Sequence, residues 1–449
     1  MREPLSSDVV VVGAGMAGLA AALAAQERGG RVALLEAGPE PGGSAALSAG
    51  FVATYPTHDA LRAAIPLGDP EQGRLLVDGY DPAIHWLRAL GVAVVPAESN
   101  EFRFGRTHHL EAPAALRHLA TLFQDRGGRL YTRTRAVRLL TDAAGGVTGV
   151  AASQPAGLAE FRGGAVVLAS GGFQGNPELT TRYIGRWADR MLVRSNPHSV
   201  GDGLLMGLAV GAATSRGLHA FYGHLLPAPP AVVAPRDFLP TTAYYSRYAV
   251  LVNLQGERFT DESQGDEMNA QAAARQEQAT VFALFDRAMY ERRILGQPPH
   301  LDRVAAARAV GGRVATALTL EGLVEQLGAW GVRTHALART LSDYNRAMAA
   351  DSDAALPVPR AAHRTPLATP EFFAVALAPA ITFTHGGLRI DARCRVLDRG
   401  GQPIPGLYAA GADAGGTFYE RYGGGLAMAL TLGRAAGTAA ADAVLAARA

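Results

Sequence analysis

Three glycines near the start of the chain have the spacing that is used to bind a pyrophosphate. Residues 13 to 18 read Gly-Ala-Gly-Met-Ala-Gly, directly after the apolar run Val9–Val12. The first glycine permits a tight turn, the second lets the backbone approach the phosphates, and the third allows a helix to pack closely on the sheet. Glu36 ends the next apolar run, where a carboxylate accepts hydrogen bonds from ribose hydroxyls. The motif therefore predicts a dinucleotide-binding βαβ unit.

Other small-residue turns recur later in the chain. Gly42-Gly43-Ser44 leads into a loop that ends at Ala49-Gly50. The buried-strand run 165–168 is followed by Ser170-Gly171, and Gly423 to Gly425 precede a helical segment at 426–445. Turns of this composition let backbone approach a flat ring or a phosphate closely.

The composition excludes several kinds of chemistry. None of the 449 residues is lysine, which excludes Schiff-base and pyridoxal enzymes and a Walker A nucleotide loop. Cys394 is the only cysteine, so the chain can form neither an internal disulfide nor a cysteine-based metal or iron–sulfur site, and no metal site is expected. Redox chemistry would therefore need a bound organic cofactor.

Charge and hydropathy predict no nucleic-acid partner and no membrane span. The formal charge of +2 is spread along the chain without a basic block. The apolar stretch 9–25 is short for a membrane span, lacks a basic leader, and carries the nucleotide-binding glycines. We expect a soluble, cytoplasmic protein.

The pattern of elements predicts two domains. Residues 129–150 alternate as a β-hairpin around Gly145-Gly146. Aromatic, proline and polar residues increase from about 218 to 355, with helices expected near 284–295, 320–329 and 341–350, and Thr340 and Asp343 have capping-box spacing. We expect a cofactor domain built from 1–217 and 356–449 around an inserted domain, 218–355.

Seven motifs in order resemble the FAD-dependent oxidoreductase 2 family. This family includes the fumarate reductase and succinate dehydrogenase flavoprotein subunits, urocanate reductase, tricarballylate dehydrogenase and 3-ketosteroid Δ1-dehydrogenase. The motifs lie at 13–18 with Glu36, 42–44, 168–175, 201–203, 252–259, 385–390 and 405–411. The resemblance implies an α/β protein with a glutathione-reductase-type Rossmann FAD-binding domain and an inserted α+β capping domain.

The resemblance also implies which residues contact FAD. Covalent members of the family attach FAD through a histidine in the loop after the glycine pair, and residues 44–50 contain none, so noncovalent FAD is expected. The start of the final helix would stabilise negative charge on the N1/C2 edge of a reduced flavin. The implied FAD contacts are Gly13, Gly15, Met16, Ala17, Gly18, Glu36, Ala37, Gly43, Ser44, Ala49, Gly50, Ala136, Ser170, Gly171, Asp202, Gly411, Asp413, Leu426 and Ala427.

For the substrate, the resemblance gives two alternatives. Arg421 occupies the position at which fumarate reductases hold a substrate carboxylate. Two other features differ from that pattern, since the proton-donating arginine expected after Arg258-Phe259 is missing and Phe383 replaces a histidine. His385 lies two residues after Phe383. Alignment with ketosteroid dehydrogenases instead places Tyr419 beside the flavin.

The expected reaction is desaturation or reduction of a carbon–carbon bond next to a carbonyl or carboxylate of a small molecule. Hydride would pass to or from flavin N5, while Tyr419 or a histidine of the capping domain moves the α-proton and Arg421 or backbone N–H groups hold the enolate oxygen. His385 is a further catalytic candidate. The capping domain also carries an aromatic set, and two of its members, His224 and Tyr245, are candidates as well. The full set is His219, Tyr222, His224, Tyr244, Tyr245 and Tyr248.

A single dinucleotide motif indicates that electrons come from or go to an external carrier, a quinone or oxygen. The alternatives to this function are a dicarboxylate or tricarboxylate dehydrogenase or fumarate-reductase-like enzyme, and a non-catalytic FAD-bound subunit of a larger complex.

Overall fold

The computed structural model of this protein describes residues 5–97, 105–296 and 300–448. These residues divide into two units. The first comprises the described residues within Met1–Leu179, Ser195–Phe221 and Phe383–Ala449, and the second those within Thr180–Arg194 and Tyr222–Thr382. The expected boundary near 218 lies close to the start of the second unit's long segment. The expected boundary near 355 falls inside that unit.

The structure is a mixture of helices and strands, as the α/β prediction requires. The strands β1 to β19 are Leu5–Ser6, Val9–Val12, Val32–Leu35, Phe51–Thr54, Val95–Pro96, Arg106–His109, Arg129–Tyr131, Arg135–Thr141, Val147–Gln154, Gly157–Arg162, Ala165–Leu168, Leu192–Val193, Phe221–Pro227, Val250–Val252, Val281–Asp286, Val314–Ala317, Phe372–Thr384, Arg395–Leu397 and Pro403–Ala409. The helices α1 to α13 are Met16–Glu27, His58–Ala64, Pro70–Ala89, Ala112–Asp125, Pro177–Tyr183, Asp202–Ala209, Phe238–Thr241, Asp266–Ala274, Arg287–Met289, Arg303–Ala309, Leu320–Gly328, Thr334–Ala349 and Gly425–Ala446.

A six-stranded sheet in the order β18-β19-β11-β2-β3-β7 forms the centre of the first unit. β2 pairs in parallel with both β3 and β11, and the four valines of β2 are fully or almost fully buried. Continuous apolar runs of this kind belong to parallel strands that are covered on both faces. The predicted βαβ unit, β2-α1-β3, is confirmed.

Two helices of the first unit pack so closely that their contact positions need small residues. A Cβ added to Gly433 of α13 would clash with the carbonyl of Ala17 in α1, and one added to Gly437 would clash with that of Ala21. The two helices therefore run side by side in the same direction. Since α13 begins at Gly425, its start extends about 12 Å beyond the level of Ala17, at 1.5 Å per residue.

The final helix is confirmed, and the predicted hairpin is confirmed from Arg135 onward, whereas residues 129–131 form β7, which pairs in parallel with β3 in the central sheet. β8 and β9 pair antiparallel on either side of the turn that contains Gly145 and Gly146. The last helix runs from Gly425 to Ala446, close to the expected 426–445.

The second unit is built on a sheet centred on the long strand β17. β12 pairs with β17 in parallel, and β15 and β16 pair with it antiparallel. Apolar side chains of this sheet pack with helices α11 and α12, including the buried residues Leu323, Leu337 and Tyr344.

Two local predictions for the second unit were wrong. Residues 284–286 belong to strand β15, and the helix there begins only at Arg287. The helix expected from 341 begins at Thr334, so Thr340 is not an N-cap and instead donates a hydrogen bond to the Gly256 carbonyl at 2.8 Å. A tertiary partner for the threonine hydroxyl explains why local capping chemistry was misleading.

Candidate active site

The dinucleotide motif forms the expected turn. Gly13 has φ of +100°, and a Cβ there would clash with the Ala169 carbonyl. A Cβ at Gly15 would meet nothing closer than 3.9 Å, which leaves the space that a pyrophosphate needs. Met16 and Ala17 begin α1, whose N-cap, Gly15, provides no side-chain acceptor for the first N–H groups.

Glu36 is buried and fixes this turn. Its carboxylate accepts hydrogen bonds from the N–H of Ala14 at 2.9 Å and of Gly38 at 2.7 Å, while Ala37 lies between these contacts and is partly exposed. Each carboxylate oxygen can accept a second hydrogen bond, so these contacts leave capacity for a ribose hydroxyl.

The second small-residue loop lies next to the dinucleotide turn. A Cβ at Gly43 would lie 3.4 Å from the Gly15 Cα, and Ser44 Oγ accepts a hydrogen bond from the Asn196 N–H at 3.1 Å. Ala49 is exposed, and Gly50 has φ of +77°. Ala136, by contrast, is buried within β8. The structure thus brings Gly15 and Gly43 together.

Asp413 is a buried carboxylate with one satisfied oxygen. Its Oδ2 accepts hydrogen bonds from the Ser170 N–H at 2.5 Å and the Ser170 hydroxyl at 2.8 Å. Burial raises the pKa of Asp413 to about 7, although the Ser170 donors act to lower it. Its Oδ1 has no hydrogen bond of ordinary geometry from any residue that the structure describes. Gly171, next to Ser170, has φ of +95°.

Asp202, at the start of α6, is satisfied by contrast. Both of its carboxylate oxygens accept hydrogen bonds from Arg135, at 2.7 and 2.8 Å. Gly411 has φ of +63°, and a Cβ added there would lie 2.9 Å from the Cβ of Ala17. The turn that contains Asp413 therefore packs directly against the start of α1.

The final helix begins in an open glycine turn. Its N-cap is Gly424, with φ of +108° and no side chain to accept hydrogen bonds from the first turn, which carries Leu426 and Ala427. A Cβ at Gly424 would clash with the Ala53 carbonyl, so the position requires glycine. A helix start of this kind offers N–H groups and a positive dipole end to an electron-rich group.

Four aromatic rings form a closed cluster around this turn, which we call the aromatic cluster: Phe383, His385, Phe418 and Tyr422. Successive ring centroids lie 5.6 Å apart for Phe383 and His385, 5.8 Å for His385 and Phe418, 5.9 Å for Phe418 and Tyr422, and 6.2 Å for Phe383 and Tyr422. A Cβ at Gly423 would lie 2.5 Å from Phe418 Cε1. Glycine there is what lets the rings approach the helix start.

His385 is 3% exposed, and neither ring nitrogen has a hydrogen-bond partner among the described residues. Burial lowers its pKa to about 3, with a smaller contribution from His219. The residue is held by its backbone: its N–H donates to the Ala220 carbonyl, and its carbonyl accepts from Gly416. His385 is therefore a neutral imidazole near neutral pH.

Tyr419 and Arg421 lie in one tight turn. The Arg421 N–H donates to the Tyr419 carbonyl at 2.7 Å, and Glu420 between them has φ of +60°. This is a γ-turn with a positive φ at a residue other than glycine, a strained conformation that is concentrated at functional sites. The Tyr419 ring is partly exposed and lies 5.5 Å from the His219 ring, whereas Arg421 is exposed.

The other two predicted catalytic residues lie in the second unit. His224 is buried, with Nδ1 hydrogen-bonded to Asp266 and Nε2 3.0 Å from the Tyr222 hydroxyl. Burial lowers its pKa, which the Asp266 charge opposes. Tyr245 is 3% exposed and packs edge-on against Phe285, and its burial raises its pKa.

Sequence inspection did not single out Phe418 and Tyr422 as parts of a site. A signal was present, since three of the five residues directly before Gly423 are aromatic. Their arrangement depends on contacts with Phe383 and His385, which are distant in sequence.

Several buried polar atoms of the first unit have no hydrogen-bond partner among the described residues. Besides Asp413 and His385, the buried oxygens Gln174 Oε1 and Thr384 Oγ1 have no partner among the described residues. Both of these oxygens border Gly172, where a Cβ would lie 2.6 Å from the glutamine oxygen. Buried polar atoms without partners are rare in native proteins. FAD fits the open backbone at Gly15, which leaves space for its pyrophosphate, and the uncapped start of α13.

Comparison with known proteins identifies the class. The model of the family described as FAD binding domain matches residues 8–426, and the chain belongs to that family. This confirms FAD as the cofactor and the resemblance drawn from the motifs. The protein is an FAD-dependent oxidoreductase of the class that acts on CH–CH groups.

Three related proteins illustrate the range of this class. The chain is 29% identical to the probable fumarate reductase Ifc3 of Shewanella frigidimarina, over 97% of this chain and 75% of that protein. It is 28% identical to urocanate reductase of Eggerthella lenta, over 91% and 70%. The structure of 3-ketosteroid-Δ4-(5α)-dehydrogenase from Rhodococcus jostii RHA1 superposes with a TM-score of 0.74 at 25% identity, covering 98% of each chain.

The described residues contain neither a metal-ligand cluster nor a membrane-spanning helix. No group of three or more histidine, cysteine, aspartate or glutamate side chains in the described ranges could hold a metal ion. Within the same ranges, no helix is both long and apolar enough to span a bilayer.

Proposed function

We propose that this protein desaturates or reduces a carbon–carbon bond next to a carbonyl or carboxylate. The observation that carries the proposal is the start of α13, where the Tyr419–Arg421 turn directly precedes an uncapped helix N-terminus and the aromatic cluster packs against the same glycine turn. FAD, when bound, supplies the hydride donor or acceptor at N5, so that the bond gains or loses one hydride and one proton.

The start of α13 would stabilise negative charge. The N–H groups of its first turn, which carries Leu426 and Ala427, have no side-chain cap. Fixed donors and a helix dipole stabilise charge that develops on a reduced flavin ring without needing to reorganise. We propose the same N–H groups or Arg421 as partners for an enolate oxygen of the substrate.

Tyr419 is our candidate for moving the α-proton. Tyr419 is partly exposed, and the γ-turn joins it to Arg421, two residues further along the chain. A phenol can act as a general acid or base when a neighbouring cation stabilises the phenolate. The strained turn would serve to hold the two side chains in a fixed relation.

The cofactor is proposed to be noncovalent, and the electron partner to be external. Residues 44–50, which include the small-residue loop at Ser44, contain no histidine. The chain has one complete dinucleotide motif, at Gly13 to Gly18, and FAD would occupy it. Electrons would then be exchanged with a separate carrier, a quinone or oxygen.

A second candidate is a dicarboxylate or tricarboxylate enzyme, which Arg421 favours. Its guanidinium is exposed next to the glycine turn, and arginine binds carboxylates with paired hydrogen bonds. The similarity to a probable fumarate reductase points in the same direction. This candidate differs from the first in the charge of the group next to the double bond.

Rapid-mixing spectroscopy on the purified holoprotein tests the proposal. The oxidised flavin should be bleached by saturated substrates, or the reduced flavin reoxidised without oxygen by unsaturated ones. Cyclic enones, steroids and tricarboxylates form the panel. The proposal is wrong if the protein holds FAD but no member of the panel changes the flavin redox state faster than a buffer control.

A further inference from the structure

A groove on the first unit contains none of the residues assigned above to FAD or to catalysis. It has a volume of about 1000 Å³, and its lining residues come from α3, from α13, and from β18 and β19 with the turn before β18. The α13 positions that pack on α1 are Gly433 and Gly437, whereas Ala435 and Ala439 line the groove. Two residues correspond to about 200° around a helix, so the groove lies on the side of α13 opposite α1.

The size and floor of this groove suit an extended organic ligand. A volume of about 1000 Å³ is at the upper end for small-molecule sites and far larger than a single ion needs. The α13 residues that line it span about 18 Å from Thr431 to Ala443, at 1.5 Å per residue. Most of them are small, which leaves room for a flat group. The small floor residues are Thr431, Ala435, Thr438, Ala439 and Ala443.

One cation of the groove, Arg434, is held in place without an ion pair. The indole N–H of Trp86 donates to the Glu27 carboxylate at 2.9 Å, and the Arg434 guanidinium carbon lies 4.9 Å from the Trp86 ring centroid. Burial lowers the pKa of Arg434, which the more distant Glu27 charge opposes. Since no carboxylate of the described residues pairs with Arg434, an anionic ligand would relieve the cost of burying its charge.

Two further arginines of the groove also lack an ion pair among the described residues. Arg74 projects from α3 and Arg393 from the turn before β18, and both are exposed. The fourth arginine, Arg395, is already paired with Asp391 at 2.6 Å. Three different elements thus each supply one uncompensated guanidinium. Guanidinium groups bind phosphate oxygens with paired, charge-assisted hydrogen bonds.

Carboxylates in the same groove argue against a ligand that is only an anion. Asp442 is paired with Arg28 at 2.6 Å, and Asp78 lies 2.8 Å from the His58 ring nitrogen. Glu71 is exposed and has no ion pair with a described residue. Carboxylates accept hydrogen bonds from hydroxyl and amino groups. The groove therefore fits a molecule that carries phosphate at one part and such donors at another.

We infer that this groove is a second ligand site and that it binds a nucleotide-sized phosphate ester. The phosphates would contact Arg74, Arg393 and Arg434, while ribose hydroxyls or a base amino group would donate to the carboxylates. A flat base can lie on the small residues of α13. The inference does not rest on the proposed function, because the site shares no residue with the one assigned to the flavin or the substrate.

Equilibrium binding to the FAD-loaded protein tests the inference. ATP, adenosine and glucose 6-phosphate are titrated separately by calorimetry in magnesium-free buffer, and the flavin absorbance shows whether FAD stays bound. Adenosine lacks the phosphates, and glucose 6-phosphate lacks the base, so that a sugar phosphate is distinguished from a nucleotide. We expect ATP to bind with a Kd below about 1 mM, and at least about 10-fold more tightly than either of the other two.

Four variants locate the binding. Arg434→Gln removes one charge and should weaken ATP binding about 10-fold. Arg393→Gln, at an exposed residue, should do the same and replaces Arg434→Gln if that variant does not fold. Ala439→Trp fills the groove without changing its charge and should abolish binding. Arg339→Gln, at an exposed arginine of α12 in the second unit, is the control and should leave the Kd unchanged. FAD content and the thermal midpoint verify folding.

The inference and the proposed function fail separately. Adenosine or glucose 6-phosphate binding as tightly as ATP would overturn the inference, as would unchanged ATP binding in Ala439→Trp or an equal loss in Arg339→Gln. Release of FAD by ATP would overturn it too, because ATP would then occupy the dinucleotide turn. Redox reaction of the flavin with the substrate panel is measured without ATP and would leave the proposed function standing in each case.

Discussion

Two buried histidines, one in each unit, differ in the hydrogen bonds that their ring nitrogens make. His224 has a carboxylate on one ring nitrogen and a tyrosine hydroxyl near the other. His385 is equally buried but has no partner on either nitrogen among the described residues. Burial lowers the pKa of both. Burial and a lowered pKa are therefore shared by a histidine whose two ring nitrogens have partners and by one whose ring nitrogens have none among the described residues.

The same comparison applies to the two candidate tyrosines, and gives the largest expected effect. Tyr419 is partly exposed in a strained turn, whereas Tyr245 is buried against Phe285. We expect Tyr419→Phe to lower kcat about 100-fold with FAD content unchanged, because a general acid or base contributes roughly that factor. Tyr245→Phe should change kcat less than 3-fold. Equal losses in both variants would contradict this division of roles.

The next prediction concerns the free energy of unfolding. His224→Phe leaves the buried Asp266 oxygen without its partner, so it should destabilise the protein by about 2–3 kcal/mol. His385→Phe breaks no hydrogen bond and inserts an apolar ring among aromatic ones, so it should cost less than about 1 kcal/mol or even stabilise. Thermal or urea unfolding of the two variants measures the difference. A larger loss from His385→Phe would show that its nitrogens are satisfied in the folded protein.

Two aspartates extend the comparison to cofactor binding. Asp413 is buried, and one of its carboxylate oxygens has no partner among the described residues, whereas both carboxylate oxygens of Asp202 accept hydrogen bonds from Arg135. If Asp413 accepts hydrogen bonds from FAD, Asp413→Asn should weaken FAD binding about 10-fold. Asp202→Asn should weaken it by no more than about 3-fold. Fluorescence titration of apoprotein with FAD gives both constants, and an unchanged constant for Asp413→Asn would remove that residue from the cofactor contacts.

The smallest expected effect is on the pH dependence of stability. His385 has a folded-state pKa of about 3, below its unfolded value of about 6.5, so the unfolded chain takes up more protons as the pH falls. The contribution of His385 is present above about pH 6.5 and is lost as the pH falls towards 3. Between pH 7.5 and 5.5 the wild type should lose about 1 kcal/mol more stability than His385→Phe.

Because Asp413 also titrates in this pH range, the contribution of His385 has to be measured as a difference between the wild type and His385→Phe. The pKa of Asp413 is raised to about 7, so its contribution has the opposite sign, and stability falls as the pH rises from about 4 to 7. The two contributions partly cancel in the wild type. Identical pH profiles for wild type and His385→Phe would show that His385 does not titrate differently on folding.

Much of the fold could be predicted from sequence because glycine at a given position already indicates a backbone conformation or a close approach that other residues do not permit. The turn at Gly13 is fixed by φ and by the Ala169 carbonyl, and only glycine meets both demands. The same holds for Gly424 at the start of α13. The hairpin between β8 and β9 follows from alternation and a glycine turn. The start of α12 was not predictable in this way, since the apparent cap at Thr340 is engaged by the distant Gly256.

The sequence by itself determined the cofactor class, because the dinucleotide turn and the glycine-opened final helix need glycines at fixed spacing, which can be read without knowing what packs against them. Only the tertiary structure decided which side chains form a site. The aromatic cluster joins residues 383–385 to residues 418–422, and Asp413 meets Ser170 across more than two hundred residues. Such meetings depend on how strands and helices pack, and the hydrogen bonds that packing leaves unmade are visible only in the folded chain.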